Sequence, residues 1–260
     1  MDAILLTHDV QLGLAELVHR AYAALWPDHP FTFRVPINGT ASGQALSYLA
    51  AQPDCRLVPA PRSIRESMLA LLQGVPEEAW VFWCIDDRFP TVVSAEALAD
   101  VVAGLGGLDG DDAGRLGRVD EVKLLRWKEG ITREPAVVGS VPYVVQAAGT
   151  RHRGFWHHHF VRAGTLRRVF GRADLEGSTA IRDVLGPLHP ERRGRRWERA
   201  RIAAEAGLFG GRALVPRMPL VRLGEPLVTG RLTRNGREEL HRRGCEVPPY
   251  PSIDRDMVYG

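Results

Sequence analysis

The stretch VFWCIDDRFPT, residues 81–91, runs five apolar or aromatic residues directly into two adjacent carboxylates. An unbroken run such as Val81, Phe82, Trp83, Cys84 and Ile85 predicts a strand covered on both faces, as in the middle of a parallel or mixed sheet. Asp86 and Asp87 then fall at the end of a buried strand. Two neighbouring carboxylates there repel one another and lose hydration unless a cation or hydrogen bonds compensate them.

Working outward from this run, the preceding chain alternates strand and helix signals. AILLTH (3–8) reads as a buried opening strand, and the apolar spacing of VQLGLAELVHRAYAALW predicts a helix that Asp9 can cap. FTFRVPING alternates and stops at Asn38–Gly39, SGQALSYLAAQ is a short helix, CRLVPA a strand, and SIRESMLALLQGV a helix ended by Gly74. Four strands separated by three helices predict an α/β open sheet with helices on its faces. Beyond it come a helix in SAEALADVVAGL, a strand in EVKLLRW, two extended pieces (PAVVGS and YVVQAAG), and the segment RHRGFWHHHFVRAGTLRRVF. Residues 187–205 form a basic helical candidate. VRLGEPLVTGRL reads as an antiparallel pair or bent edge strand around Gly224, and RNGREELHRRG as an amphipathic helix before a Pro-rich tail.

The totals fit a globular chain: 260 residues, 45% hydrophobic and 25% charged. No apolar run approaches the roughly 20 residues that cross a bilayer, and MDAILLTHD lacks the pattern of a signal peptide, so a cytoplasmic protein with no integral membrane segment is expected. The three cysteines, Cys55, Cys84 and Cys245, are widely spaced and predict reduced thiols rather than a disulfide framework or zinc ribbon. The net charge of +3 conceals a division: residues 1–150 carry 12 Lys+Arg against 19 Asp+Glu, and residues 151–260 carry 22 against 12. An acidic half that uses a cation and a basic half near an anion fit this division. The Arg content accompanies an Ala- and Gly-rich composition and gives no reason to expect nucleic acid. GxxxxGK[ST], GxGxxG after a strand, and GxSxG are all absent, which argues against a P-loop nucleotidase, a Rossmann dehydrogenase and a serine hydrolase.

In open α/β sheets ligands bind beyond the carboxyl ends of the strands, where Asp86 and Asp87 are expected. Hard divalent ions take one or two protein carboxylates and complete their shell with phosphate and water. The competing reading pairs Asp87 with Arg88 or Arg62 and gives Asp86 to the turn before Pro90. Of the run His157–His159, alternate residues share a face only on a strand, and with no Cys or acid close by it is a poor zinc site. Trp156 either stacks on a ligand or fills the core. The acidic LDGDDAG, with Asp109, Asp111 and Asp112, lacks the glutamate of a calcium loop and reads as a solvated loop. RRGRRWERAR (192–201) reads as a solvated helix face.

The order of an opening strand, a second ending near Asn38–Gly39, a helix with Arg62 near its start, and an apolar strand ending in Ile85-Asp86-Asp87 before Phe89-Pro90 resembles the nucleotide-sugar-binding half of a GT-A fold glycosyltransferase. The resemblance extends by architecture over most of residues 3–185. It implies a mixed, mainly parallel, Rossmann-like sheet flanked by helices in one domain, with residues 1–93 as the donor and metal half and 94–260 as the acceptor half and C-terminal extension. It implies Mn²⁺ or Mg²⁺ at Asp86 and Asp87, although DDR stands here in place of the family's DxD. Thr7, His8, Asp9 and Asn38 match positions lining the nucleoside pocket, and Arg62 matches the basic residue approaching base or phosphate. His158 is the histidine expected to reach the metal or diphosphate. For inversion, the resemblance puts the base for the acceptor hydroxyl at Glu176, in the loop with Asp174 just before the helix STAIRDVL, with Asp174 and Asp183 in reserve; capping of that helix competes for the loop acids. The partners implied are a nucleotide-diphosphate sugar and a hydroxyl-bearing small molecule or glycan. The alternatives are a nucleotidyltransferase acting on sugar phosphates, or a non-catalytic nucleotide-binding module with a degenerate site. The Pro-rich tail VPPYPSIDRDMVYG can pack on its own domain or on a second copy, so a homodimer is compatible.

Overall fold

The computed structural model describes residues 1–39, 41–109, 116–128, 130–150, 154–171, 209–256 and 258–259. The alternation expected over the first 90 residues is present: β1 (Asp2–Leu6), α1 (Leu12–Leu25), β2 (Thr32–Ile37), α2 (Gln44–Ala51), β3 (Cys55–Pro59), α3 (Ile64–Leu71) and β4 (Trp80–Ile85). These strands run parallel in the order β3-β2-β1-β4. The apolar run of residues 81–85 is covered on both faces because its side chains divide between two layers. Phe82 and Cys84 join α1, α2 and α4 (Ala95–Gly104) in one cluster, while Val81, Trp83 and Ile85 join α3 and α5 (Ala163–Phe170) in another. All six β4 residues are buried, and fully burying side chains of this size contributes roughly 1.5–3 kcal/mol each relative to exposure.

The sheet continues past β4 through β9 (His159–Arg162), β6 (Val119–Lys123), β10 (Arg212–Pro216), β8 (Val141–Gln146) and β7 (Ile131–Val138), nine strands in all among the described residues. The mixed sheet expected is present, with parallel and antiparallel neighbour pairs in equal number. β9 inserts antiparallel between β4 and β6, and β8 lies antiparallel to both β10 and β7, so four of the eight neighbour pairs are antiparallel. No local pattern in residues 159–162 carries the direction of β9.

A second, three-stranded sheet orders β14 (Val258–Tyr259), β11 (Val221–Gly224) and β5 (Phe89–Val93), so the strand that follows the two aspartates is held by the C-terminal part of the chain. Gly224 permits this approach: a Cβ there would lie 2.6 Å from the Phe89 ring. The expected pair around Gly224 is resolved into two features, β11 ending at Gly224 and a hairpin of β12 (Leu227–Val228) with β13 (Arg231–Leu232). The amphipathic helix is α6 (Arg234–Arg242), capped by Thr233, whose hydroxyl accepts the Gly236 N–H. The tail packs on its own chain: Ile253 N–H donates to the Leu232 carbonyl, and Arg234 pairs with Asp256 at 2.6 Å. Cys55, Cys84 and Cys245 are free thiols, as expected. No helix among the described residues is long and apolar enough to cross a membrane.

Candidate functional site

The strand order β3-β2-β1-β4 reverses direction of growth between β1 and β4, the crevice at which open α/β sheets place their ligands. Thr7 follows β1 and Asp86 follows β4, and they meet across this crevice: the Thr7 hydroxyl donates to Asp86 Oδ2 at 2.6 Å. Asp86 is buried, its backbone N–H bonded to the Leu6 carbonyl. Burial is the main cause that raises its pKa to about 8, with the neighbouring charge of Asp87 adding to it and the Thr7 hydrogen bond opposing it. A carboxyl held in this way takes up a proton or a cation at neutral pH, which suits the first of two acids meant to meet a positive charge.

Asp87 occupies the turn between β4 and β5 and is half-buried. Its Oδ1 lies 3.4 Å from Arg88 Nη1, and the same nitrogen donates to the Asp87 carbonyl at 2.6 Å and to Glu225 Oε1 at 2.7 Å. The competing sequence reading, in which Asp87 pairs with Arg88, is thus present in the geometry. Glu225, buried at 9% exposure, escaped sequence reasoning. It stands 137 residues from Arg88, and only the β11–β5 pairing, with Gly224 opposite Phe89, carries it to the aspartates. Asp87 and Glu225 thus share one nitrogen of Arg88 at the end of β4, with Asp86 next in the sequence.

The residues expected around the nucleoside fall into two groups. Asp9 does not cap α1, which begins at Leu12; its Oδ1 accepts the Asn38 N–H at 2.8 Å and so ties the ends of β1 and β2. Asn38 donates through Nδ2 to the carbonyls of Ala60 and Pro61 at 3.0 and 2.6 Å, which binds the end of β3 to the same rim. His8 is exposed between Thr7 and Asp9, in extended conformation. Partial burial lowers its pKa, with Asp9 pulling the other way. Arg62 is exposed immediately before the α3 cap Ser63. Thr7, His8, Asp9, Asn38 and Arg62 thus all follow the carboxyl ends of β1, β2 and β3.

His158 is placed otherwise than expected. It is fully buried, its Nδ1 accepting from the Tyr22 hydroxyl at 2.8 Å and its Nε2 donating to the Ile85 carbonyl at 3.2 Å. These partners fix the tautomer and engage both ring nitrogens, so this arrangement leaves neither for a metal ion. His158 instead braces the end of β4 from below. Burial drives its pKa down to about 3 and that of His157 to about 4, Arg88 adding to both as a lesser cause. His157 bonds the Gly154 carbonyl and lies against Trp127, while His159, buried on the opposite face from His158, bonds the His157 carbonyl. Beside His159 stand Glu121 and Lys123, joined to one another and fully within the sheet. Charges two apart in EVK were legible as one face of a strand, but nothing local shows that face to be covered. Trp156 lies against Trp83 and Phe170 and belongs to the core layer. Asp109 pairs with Arg162 rather than standing in solvent alone. Asp111, Asp112, Asp174, Glu176, Asp183 and the arginines of 192–201 lie outside the described residues.

The chain matches no family model, and no curated protein matches it. Among solved structures it is similar to the galactosyltransferase LgtC in complex with donor and acceptor sugar analogues, at 12% identity and a TM-score of 0.38 over 81% of this chain and 72% of that one. An active-site mutant of LgtC aligns over 98% of both chains at 11% identity and a TM-score of 0.40. TarS of S. aureus, as its fragment 1–349, aligns at 14% identity and 0.41 over 82% of this chain and 57% of that one. The functional assignment accordingly rests on the site and not on these alignments.

Proposed function

We propose that the protein is a glycosyltransferase that moves a sugar from a nucleotide-diphosphate sugar to a hydroxyl group of a small molecule or glycan. The observation carrying this reading is the Thr7–Asp86 hydrogen bond across the crevice between β1 and β4, which sets a buried acid beside Asp87 where a diphosphate would lie. In this reading the rim of Thr7, His8, Asp9, Asn38 and Arg62 receives the nucleoside and phosphates, and residues 94–260 build the acceptor side. The carboxylate oxygens of Asp86 and Asp87 are the hard donors that suit Mn²⁺ or Mg²⁺. When bound, such an ion neutralises the diphosphate and stabilises the leaving nucleoside diphosphate. Thr7 holds Asp86 in place, Asp87 supplies a further oxygen, and Arg88, held by Glu225, can exchange its carboxylate partners for a phosphate oxygen. Glu176, with Asp174 in reserve, takes the proton of the attacking acceptor hydroxyl as general base in an inverting displacement.

The contacts of Arg88 with Asp87 and Glu225 favour a second reading, transfer without a metal, in which the guanidinium alone balances the diphosphate. Incubation with a panel of nucleotide-diphosphate sugars distinguishes the two. The metal-assisted enzyme is expected to release nucleoside diphosphate from one donor class, and EDTA to reduce that release by at least tenfold. Release unchanged by EDTA supports the arginine reading, and release from no donor contradicts both.

A further inference from the structure

At the opposite end of the parallel strands, four side chains with metal-ligating chemistry converge that the donor site does not use. His19 comes from the middle of α1, His29 from the connection to β2, Asp54 immediately precedes β3, and Cys55 opens it. One ligand atom each from His19, Asp54 and Cys55 lie within 4.8 Å of one another. His19 Nε2 is 3.1 Å from Asp54 Oδ1, and the other ring nitrogen, Nδ1, is 2.8 Å from the Tyr48 hydroxyl. His29 approaches the second oxygen: its Nε2 is 3.5 Å from Asp54 Oδ2, while its Nδ1 accepts the Phe31 N–H at 3.3 Å.

We infer that His19, Asp54 and Cys55 form a site for a zinc-class divalent ion, separate from the carboxylates at the end of β4. The donor set is one nitrogen, one oxygen and one sulfur, the mixed chemistry that suits Zn²⁺ and that Mg²⁺ and Ca²⁺ disfavour. A thiolate and a carboxylate together cancel the charge of the dication, so its burial beside α1 leaves no net charge. The outer contacts are those a ligated histidine and carboxylate need. With Nε2 on the metal, His19 Nδ1–H donates to the Tyr48 hydroxyl, and with Nδ1 accepting from Phe31, His29 Nε2–H is directed at Asp54 Oδ2. His19 is 2% exposed and the Asp54 side chain 29%, so the site is rooted in the core but open to an incoming ion and to a water as fourth ligand. The ion would tie α1 to the first residues of β3, 35 positions along the chain. Its role is structural, because β1 and β4 carry the donor site at their other ends.

The test is Co²⁺ titration of the chelator-stripped full-length protein, read by absorption. The expected result is a near-ultraviolet thiolate-to-cobalt charge-transfer band that saturates at one equivalent and is bleached by Zn²⁺. Zn²⁺ should also raise the thermal midpoint of the same protein by several degrees. The band is expected to persist in the double variant Asp86→Asn, Asp87→Asn and to disappear in Cys55→Ser. Absence of both the band and the Zn²⁺ shift in the unmodified chain would overturn the inference and leave His19 as a core histidine satisfied by Tyr48 and Asp54. A band surviving in folded Cys55→Ser would also overturn it, since the cobalt would then sit on Cys84 or Cys245. If Cys55→Ser does not fold, the single variants Cys84→Ala and Cys245→Ala decide instead: the band is expected to survive in both, and its loss in either would overturn the inference.

Discussion

Asp87→Ala is expected to abolish metal-dependent binding of the nucleotide-diphosphate sugar while leaving the fold intact. The side chain of Asp87 is 33% exposed and its ion pair with Arg88 is 3.4 Å long, so removing the carboxylate should cost only about 0–1 kcal/mol of stability. Loss of a direct oxygen ligand, in contrast, should weaken donor affinity by more than about 100-fold, since even partners one layer out are worth about 10–100-fold. Urea unfolding of the unmodified protein and the variant reads the first quantity, and calorimetric titration with a nucleoside diphosphate and Mn²⁺ reads the second. Equal affinities in the two proteins would remove Asp87 from the site.

As pH falls below 6.5 the metal-free protein is expected to lose stability steeply, by on the order of a kcal/mol per pH unit for each histidine that folding holds neutral. Burial holds the folded-state pKa of His158 at about 3 and of His157 at about 4, and pushes His159 well down, all below the ordinary value of 6.5. A group whose pKa is depressed by folding contributes stability that is complete above its unfolded pKa and is lost as pH falls toward its folded pKa. Each such histidine is worth about 1.4 kcal/mol per pH unit in that window. Asp86 acts in the opposite sense: its folded pKa of about 8 exceeds the unfolded value, so its contribution is fully present at low pH and is lost as pH rises toward 8. The two signs predict a shallow rise in stability from pH 8 to 6.5 as Asp86 takes up its proton, followed by a steeper fall as the histidines must ionise. Urea midpoints at half-unit intervals should trace this maximum, and Asp86→Asn should remove its alkaline limb. A midpoint flat from pH 7 to 4.5 would show that the three rings are not held neutral.

How far the sequence discloses this molecule differs from feature to feature. The strand ending in Asp86 and Asp87 was legible because a run apolar at every position can only be covered on both faces, and β4 sends alternate residues to two layers. The positions of Thr7 and Asn38 at strand ends followed from the same alternation of elements. Glu225 was not legible, because its approach to Arg88 depends on a strand pairing across more than 130 residues and on the space that Gly224 leaves for the Phe89 ring. His158 was misplaced for a related reason. A histidine beside two others looks available to a ligand, and only the Tyr22 hydroxyl, brought from α1, shows that it serves the interior. The mixed sheet followed from the resemblance, but the antiparallel direction of β9 did not, since the composition of a four-residue strand is the same whichever way it runs. Asp54 and Cys55 read as the unremarked start of a strand until α1 set His19 against them.

The most direct test of the central claim, that the ends of β1 and β4 hold a divalent ion and a nucleotide-diphosphate sugar, is the thermal midpoint of the purified protein. It should be recorded against a panel of nucleoside diphosphates and nucleotide-sugars with Mn²⁺, Mg²⁺ or EDTA. A ligand that binds only the folded state at 100 times its dissociation constant stabilises it by about 2.7 kcal/mol. The account predicts a rise with one nucleoside diphosphate and its sugar, present with Mn²⁺ or Mg²⁺ and lost in EDTA. No shift with any nucleotide, with or without metal, would contradict it and leave Asp86 and Asp87 as acids held within the protein by partners that include Thr7 and Arg88.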